Sequence, residues 1–315
     1  SMAAGVCALM TLAGGILLQQ GKEKKSVPPM AQIEHVGKRS AQLIVSTGEV
    51  LDLSQEEIYQ KAVDGTLITN DTLKLLSYQS NAGETYTTGT NAPEKVNKET
   101  VYHTLRVPAG ADYQVTLADG TKVWLNCEST LRYPVEFGDE KREVYLDGEG
   151  YFEVAKDKDK PFIVKTKEQS IEALGTKFNV SAYPTDSLLT TTLLEGSVLL
   201  TTQNLLHPMV LKPNEQFVYN KRTRSALLQQ VDANRFVSWT TGYYYFPEQS
   251  LEAILYRLSH VYGVQFTVKS EALKRRTFTG TFYRGQSIKD IMEIIHLSIP
   301  VRYKIDDHHV TISEI

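Results

Sequence analysis

Residues 113–125, YQVTLADGTKVWL, carry a strong β-hairpin signal. Apolar residues alternate with polar ones before and after Asp119-Gly120, which is the two-residue period of a half-buried β-strand. An Asp-Gly pair favours a type I′ turn, because both central residues of that turn have positive φ angles. The stretch therefore predicts two antiparallel strands joined by a tight turn.

Four other stretches repeat this arrangement of two short apolar strands around a turn. They are residues 43–53 (LIVSTGEVLDL), 144–154 (VYLDGEGYFEV), 191–200 (TTLLEGSVLL) and 209–219 (MVLKPNEQFVY). Because a single hairpin is only marginally stable in water, the five units must stack to bury one continuous apolar surface. The sequence thus predicts a mainly β fold, with an elongated domain of stacked or rolled β-hairpins over residues 40–240. Their irregular spacing argues against a strict solenoid.

The C-terminal part of the chain mixes helical and extended patterns. Apolar residues recur at helical spacing over residues 250–262, and Gly263 follows at the C-cap position. Ser287 can cap a second helix, with Asp290 three residues on as a capping-box variant. The other segments read as strands: 243–246, closed by Pro247, then 264–268, 276–283, 301–305 and 310–313. This order predicts a small α+β domain of β-α-β-β-α-β-β order.

Composition excludes several classes of function. The chain has 315 residues, enough for roughly two domains, with a net charge of −3 and a pI near 6.2. That balance gives no electrostatic reason to expect nucleic-acid binding. Two cysteines rule out a disulfide scaffold and a four-cysteine zinc site, and Cys127 reads as a small buried hydrophobe.

Signatures of catalysis and of cofactor binding are missing. No GxSxG elbow or phosphate-cradling loop is present, and the histidines lack metal-ligand spacing, so no metal or cofactor is expected. Glu149 and Glu153 are a poor glycosidase pair, because four residues of strand span about 13 Å, so a surface or hairpin-edge role is expected for them. Trp124 and Trp239 could stack on sugars or pack in the core.

An uncharged apolar segment, Met2 to Leu18, begins the chain. It is just long enough to span a bilayer, and a charged, proline-bearing tether follows over residues 21–29. A buried core helix and a secretory signal peptide are the alternatives, although the basic region that precedes a signal peptide is absent. Lysines at positions 22, 24 and 25 would, by the positive-inside rule, favour a cytoplasmic location for the rest of the chain.

Six ordered motifs lie within residues 102–203: LADGTKVWLN (117–126), STLRYP (129–134), VYLDGEGYFEVAKD (144–157), PFIVKT (161–166), LGTKFNV (174–180) and LLEGSV (193–198). Together they resemble the periplasmic domain of FecR-type anti-sigma factors, which regulate sigma factors. Residues 244–315 are similar to the small C-terminal domain that such proteins carry in Bacteroidetes-type bacteria, whose halves resemble the secretin and TonB short N-terminal domain.

The resemblance implies a signalling protein that crosses the inner membrane once, through residues 2–18, with residues from about 26 onward in the periplasm. This orientation conflicts with the one that the lysines at positions 22, 24 and 25 favour, and the resemblance is given the greater weight. The periplasmic part of the protein would receive the N-terminal signalling domain of a TonB-dependent outer-membrane transducer. It would thereby control an extracytoplasmic-function sigma factor, held by a cytoplasmic segment for which this chain has no room before Met2. The implied role is protein–protein binding without catalysis.

Four domains are expected on this basis. They are a membrane segment and tether (1–25), a β-hairpin extension with a polar loop at 79–100 (26–100), a FecR-like periplasmic β domain (101–240) and the small α+β domain (241–315). Partner binding by strand addition is expected on the strand around Gly280, which would let another backbone approach closely. The expected residues are Thr277, Phe278, Thr279, Gly280, Thr281, Phe282 and Tyr283. The alternative is a membrane-tethered carbohydrate-binding or surface-assembly module.

Overall fold

The computed structural model describes residues 38–54, 59–63, 66–70, 75–80, 100–202 and 207–315. The expected membrane segment, its lysines and most of the polar loop at 79–100 lie outside the described residues. In the part that is described, no helix combines the length and the apolar character needed to cross a membrane. The predicted fold class is confirmed: the described chain is mainly β and ends in a small α+β region.

The described residues before position 231 form nineteen strands: β1 (Lys38–Arg39), β2 (Gln42–Ile44), β3 (Val50–Asp52), β4 (Tyr59–Val63), β5 (Thr66–Asn70), β6 (Leu75–Ser80), β7 (Tyr102–Arg106), β8 (Ala111–Thr116), β9 (Lys122–Leu125), β10 (Thr130–Pro134), β11 (Arg142–Glu153), β12 (Phe162–Lys165), β13 (Gln169–Ala173), β14 (Lys177–Ala182), β15 (Leu188–Glu195), β16 (Val198–Thr202), β17 (Met209–Leu211), β18 (Glu215–Asn220) and β19 (Ser225–Gln230). Two sheets contain eighteen of these strands. The first sheet has the order β3-β2-β7-β10-β11-β12-β13-β16-β17, and the second has the order β4-β5-β6-β8-β9-β11-β14-β15-β18-β19. The remaining strand, β1, pairs parallel with β8.

The long strand β11 belongs to both sheets. Its first half pairs with β10 and β12 in the first sheet, and its second half, from Gly148, pairs with β9 and β14 in the second. The expected hairpin at 144–154 is therefore wrong. Gly148 is the point of transfer: its φ of 108° suits glycine, and a Cβ there would lie 2.4 Å from Oγ of Ser129.

Two of the five predicted hairpins form, and three do not. Residues 43–53 and 113–125 pair as β2–β3 and β8–β9. Over 191–200 and 209–219, however, the chain passes from one sheet to the other, so β15 and β18 lie in the second sheet whereas β16 and β17 lie in the first. Buried and exposed residues alternate in the same way along a hairpin and along two strands that pass from one sheet to the other. The sequence pattern therefore cannot distinguish these two arrangements.

The facing surfaces of the two sheets share one apolar core. Phe152 of β11 stacks on Phe178 of β14 at a centroid distance of 5.2 Å, and its ring lies 6.2 Å from that of Phe162 on β12. Phe152 thus connects both sheets at the centre of the core. Burial of such aromatic side chains is a major stabilising term for a β fold.

The C-terminal region follows the predicted order, with one additional short helix. Two 3₁₀ turns, Ala233–Phe236 and Ser238–Thr241, connect it to β19. Its elements are β20 (Tyr243–Ser250), α1 (Leu251–Tyr262), β21 (Gln265–Val268), α2 (Glu271–Lys274), β22 (Thr277–Tyr283), α3 (Ile288–Ser298), β23 (Val301–Asp306) and β24 (His309–Glu314). β20 and β22 form a two-stranded sheet, and β21, β24 and β23 form a three-stranded one.

Helix boundaries in this region were predictable because their signals are local. Ser250 Oγ accepts a hydrogen bond from Ala253 N–H at 3.2 Å, and Gly263 ends α1 with a φ of 63°. Ser287 and Asp290 form the predicted capping box of α3. Pro247 was expected to end β20 but does not. The strand continues to Ser250 through an irregularity between Phe246 and Gln249.

Candidate functional site

The residues expected to bind a partner form strand β22, which has one buried and one exposed face. Phe278 and Phe282 point into the core of the C-terminal region, with their rings stacked at 5.5 Å. Thr277, Thr279 and Thr281 are exposed on the other face. Within the described residues β22 pairs only with β20, so its second edge carries no strand.

Backbone groups of Thr281 point toward that second edge. Arg284 N–H donates to Gly242 O at 2.8 Å, which fixes the hydrogen-bonding phase of the antiparallel pair. Since bonded and non-bonded pairs alternate, Thr281, which lies opposite Tyr245, directs its N–H and C=O away from β20. At Tyr283 the outward N–H instead donates to Gln286 Oε1 at 2.8 Å. The edge is therefore open at Thr281 and covered at its C-terminal end.

The glycine at position 280 makes room for a side chain of its own strand. A Cβ at this position would lie 2.3 Å from Cε1 of Phe278, so the missing side chain makes room for a ring of the same strand. This face of β22 is filled from within, and an external chain would have to approach at the strand edge.

A buried polar cluster joins β11 to the C-terminal region. Glu149 is 4% exposed, and its two carboxylate oxygens accept hydrogen bonds from three side chains. The donors are Asn126 Nδ2 at 2.8 Å, Asn179 Nδ2 at 3.0 Å and Arg257 Nη2, on α1, at 3.3 Å. The surface or hairpin-edge role expected for Glu149 is thus wrong, because this carboxylate is a buried acceptor. We call these four residues the Glu149 cluster.

Both asparagines of the Glu149 cluster also accept hydrogen bonds from residues after position 231. Asn179 Oδ1 accepts from Trp239 Nε1 at 3.3 Å, and Asn126 Oδ1 accepts from the Tyr244 hydroxyl at 3.2 Å. Trp239 is 1% exposed, so its ring is a core side chain and is not available to stack on a sugar. Each amide donates to Glu149 of the two-sheet region and accepts from a side chain of the C-terminal part, so these hydrogen bonds fix how the two regions are oriented.

Charge favours the ionised form of Arg257. Burial lowers the pKa of its guanidinium, but the nearby Glu149 carboxylate raises it, and the net pKa lies above its ordinary value. The Arg257 side chain is 38% exposed, whereas that of Glu149 is 5% exposed. The pair is therefore reached by solvent from the arginine side only.

A second ion pair links the regions at β8. Arg284, which follows β22, pairs with Asp112, and its Nη2 donates to Ala111 O at 3.1 Å. Both side chains are nearly buried. Burial lowers the pKa of Arg284, while Tyr244 and Asp112 raise it above its ordinary value. The residue that directly follows β22, the strand expected to bind a partner, is thus bound by the two-sheet region.

Further contacts surround α1. Gly110 N–H donates to His260 O at 2.9 Å, and the Tyr256 hydroxyl donates to Asp186 Oδ1 at 2.7 Å. His260 also pairs with Glu128. Helix α1 therefore contacts the two-sheet region through both its backbone and its side chains.

Cys127 is buried beside these contacts, as expected. It is 2% exposed and packs with the apolar core of the C-terminal region. Burial raises the pKa of its thiol from 9.0 to about 12, so the thiol is neutral at physiological pH.

Comparison with known proteins agrees with this architecture. Residues 103–199 match the family described as FecR protein, and residues 243–312 match the family described as FecR, C-terminal. The chain is similar to two crystal structures from Parabacteroides distasonis ATCC 8503, each of a protein provisionally designated an anti-sigma factor. The structure at 1.65 Å resolution has 30% identity and a TM-score of 0.62, with 67% of this chain and 99% of that chain covered. The structure at 2.50 Å has 29% identity and a TM-score of 0.63, with 68% and 99% covered. No curated protein matches the chain.

The two-sheet region, the α+β region and these matches together define a sigma-factor regulator. The chain belongs to the FecR family of anti-sigma factors.

Proposed function

We propose that the described residues are the periplasmic, signal-receiving part of a single-pass inner-membrane anti-sigma factor. The C-terminal region receives the N-terminal signalling domain of a TonB-dependent outer-membrane transducer once that transducer has bound its ligand. The protein then controls an extracytoplasmic-function sigma factor through a cytoplasmic segment. Residues 2–18 supply the membrane span, and the domain division at residues 100 and 240 belongs to the same proposal.

The open edge of β22 is the observation that carries this proposal. Strand addition needs outward-facing backbone N–H and C=O groups with side chains that do not block the approach. Thr281 supplies the backbone groups, and the threonines at 277 and 279 are small and exposed. A signalling domain that offers a strand of its own could extend the two-stranded sheet at this edge.

The contacts between the two regions support transmission of the signal. Arg284 lies directly after β22 and pairs with Asp112, while Arg257 on α1 pairs with Glu149. A partner that displaces β22 or α1 would therefore change contacts on β8 and β11. These are side-chain contacts with defined donors and acceptors, so a small displacement breaks them rather than stretching them.

The test is a calorimetric titration of the full 315-residue chain, held in detergent micelles, with the isolated signalling domain of its cognate transducer. We expect saturable binding at one site per chain and co-elution on size exclusion. A signalling domain from an unrelated transducer serves as the control. No heat and no co-elution with the cognate domain would contradict the proposal.

A further inference from the structure

Strand β19 forms an edge of the second sheet that no other described residue covers. It pairs with β18 alone, and all six of its residues are exposed. Leu227 is 57% exposed and Leu228 is 41% exposed. Soluble proteins usually protect such an edge with a charged residue, a proline, a bulge or a very short strand. The sequence SALLQQ contains no charge and no proline, and its register with β18 is regular.

Strand β23 shows how this same chain protects another edge. It is also six residues long and pairs with one neighbour, β24, in the described structure. Three of its residues are charged: Arg302, Lys304 and Asp306. The edge of β23 thus carries the charged residues that β19 lacks.

The outward backbone groups of β19 form a regular row. Val231 N–H donates to Asn214 O at 2.8 Å, which places residue 231 in a hydrogen-bonded pair with β18. Because the bonding alternates along an antiparallel pair, Ala226, Leu228 and Gln230 direct their N–H and C=O groups away from β18. The backbone groups of these three alternate residues can form hydrogen bonds with another strand.

We propose that a second copy of this chain occupies this edge, so that two β19 strands pair antiparallel about a two-fold axis at Leu228. In this register Leu228 lies opposite its own counterpart, and Ala226 lies opposite Gln230 of the second copy. All three outward residues then make hydrogen-bonded pairs. If the register between the two β19 strands shifted by one residue, outward backbone groups of one copy would face residues of the other copy whose groups point toward β18. If the register shifted by two residues, one of the three outward residues would have no partner on the opposite β19 strand.

Charges at the two ends of β19 favour a second copy over an unrelated strand. Lys221, Arg222 and Arg224 precede the strand, and Asp232 follows it. The two-fold axis at residue 228 brings the end of β19 that follows Arg224 next to the end that precedes Asp232 of the other copy. Asp232 already pairs with Arg235 of its own chain at 3.1 Å, and both side chains are about half exposed, so the aspartate is open to a second cation. The two ends of β19 therefore carry opposite charges, which attract each other when two copies of the strand pair antiparallel.

Sedimentation of the full chain in detergent tests the dimer. We expect a monomer–dimer equilibrium that shifts with protein concentration. Leu228→Lys places two like charges side by side at the two-fold axis and is expected to weaken the dimer at least tenfold. Val210→Lys is the matched control, because Val210 is an apolar residue on β17 that is even more exposed than Leu228, and its replacement should leave the equilibrium unchanged. A chain that stays monomeric, or a dimer that Leu228→Lys does not weaken, would overturn the proposal.

Disulfide cross-linking tests the register, with Cys7 replaced by serine in each variant. Opposed residues of a hydrogen-bonded antiparallel pair have Cα atoms about 5.5 Å apart, which is within the disulfide range of about 4.4–6.8 Å. Leu228→Cys should therefore form a covalent dimer on mild oxidation. The two Leu227 positions are diagonal neighbours about 7–8 Å apart, so Leu227→Cys should cross-link far less. Equal cross-linking by both variants, or by neither, would count against the two-fold register.

A charge exchange tests the complementarity of the strand ends. Arg224→Asp opposes two aspartates and should weaken the dimer several-fold, whereas Arg224→Asp combined with Asp232→Arg should restore it. Failure of the double exchange to recover any of the lost association would show that these ends do not meet.

Discussion

Nη2 of Arg257 lies 3.3 Å from Oε2 of Glu149, and this ion pair connects helix α1 to β11, the strand that belongs to both sheets in the described structure. The carboxylate is almost fully buried, while the guanidinium is reached by solvent from one side. Two asparagine side chains complete the set of donors around Glu149. A buried carboxylate of this kind depends on its donors, because removal of one leaves charge that water cannot solvate.

Replacing the arginine should therefore cost stability. We expect Arg257→Met to lower the free energy of unfolding by about 1–3 kcal/mol, less than for a fully buried pair because the arginine is partly exposed. Urea unfolding followed by circular dichroism measures the change. The exposed pair Lys304–Asp306 offers the control, since Lys304→Met should change stability by less than about 0.5 kcal/mol.

A double-mutant cycle separates the interaction energy of the Arg257–Glu149 pair from the effects of the two single substitutions. In the Arg257→Met background, Glu149→Gln should cost less than it does alone, because the buried charge has already lost its cation. We expect a coupling of about 1 kcal/mol or more. Additive effects would show that the two residues do not stabilise one another.

Gly148 allows β11 to pass between the sheets, so a side chain there should be poorly tolerated. Gly148→Ala would place its Cβ 2.4 Å from Ser129 Oγ at a φ of 108°, and we expect a loss of about 2–4 kcal/mol in unfolding free energy. Gly138→Ala is the control, because nothing lies within 4 Å of the added atom. A thermal shift that is the same for both variants would mean that the passage between sheets does not depend on glycine.

Thr281 offers a selective test of the β22 edge. Thr281→Pro removes an outward N–H that β20 does not use, so partner binding should weaken at least tenfold while the fold is retained. Thr281→Val keeps the N–H and the strand preference of the residue, and its affinity should stay within about twofold. Calorimetry with the transducer signalling domain measures both. Strong binding by the proline variant would exclude strand addition at this edge.

Cys127 should make stability fall at alkaline pH. Its thiol pKa is about 12 when folded and 9.0 in the ordinary state, so between these values the unfolded chain releases a proton that the folded chain keeps. The contribution is therefore complete below pH 9 and is lost as the pH rises, at about 1.4 kcal/mol per unit. Unfolding of the native chain and of Cys127→Ser, compared from pH 8 to 11, isolates this thiol. Parallel pH profiles would contradict the raised pKa.

Local signals made much of the C-terminal region predictable. The spacing of Leu251, Ile254, Leu255 and Leu258 fixes the buried face of α1, and Ser250 and Gly263 mark its ends within the same segment. The buried phenylalanine face and the exposed threonine face of β22 likewise follow from simple alternation. Each of these inferences uses only residues that are neighbours in sequence, which is where propensity and capping act.

Strand partners and the Glu149 cluster were not predictable in this way. The LDGEGYF stretch around Gly148 looks like a turn, because a glycine needed for a passage between sheets has the same local appearance as a glycine needed for a hairpin. Glu149 and Arg257 are 108 residues apart, and no pattern within either segment indicates the other. Their meeting is decided by how the two regions pack, which is a tertiary effect.

The contacts that join the two regions also determine what would happen if the peptide chain were cleaved between them. Asn126 contacts Tyr244, Glu149 contacts Arg257 and Asp112 contacts Arg284, and none of these residues belongs to the covalent link at residues 231–242. Cleavage by a protease within that link would leave two fragments that remain associated through these contacts. Loss of one region from this protein would accordingly require unfolding, and scission of the backbone alone would not release it.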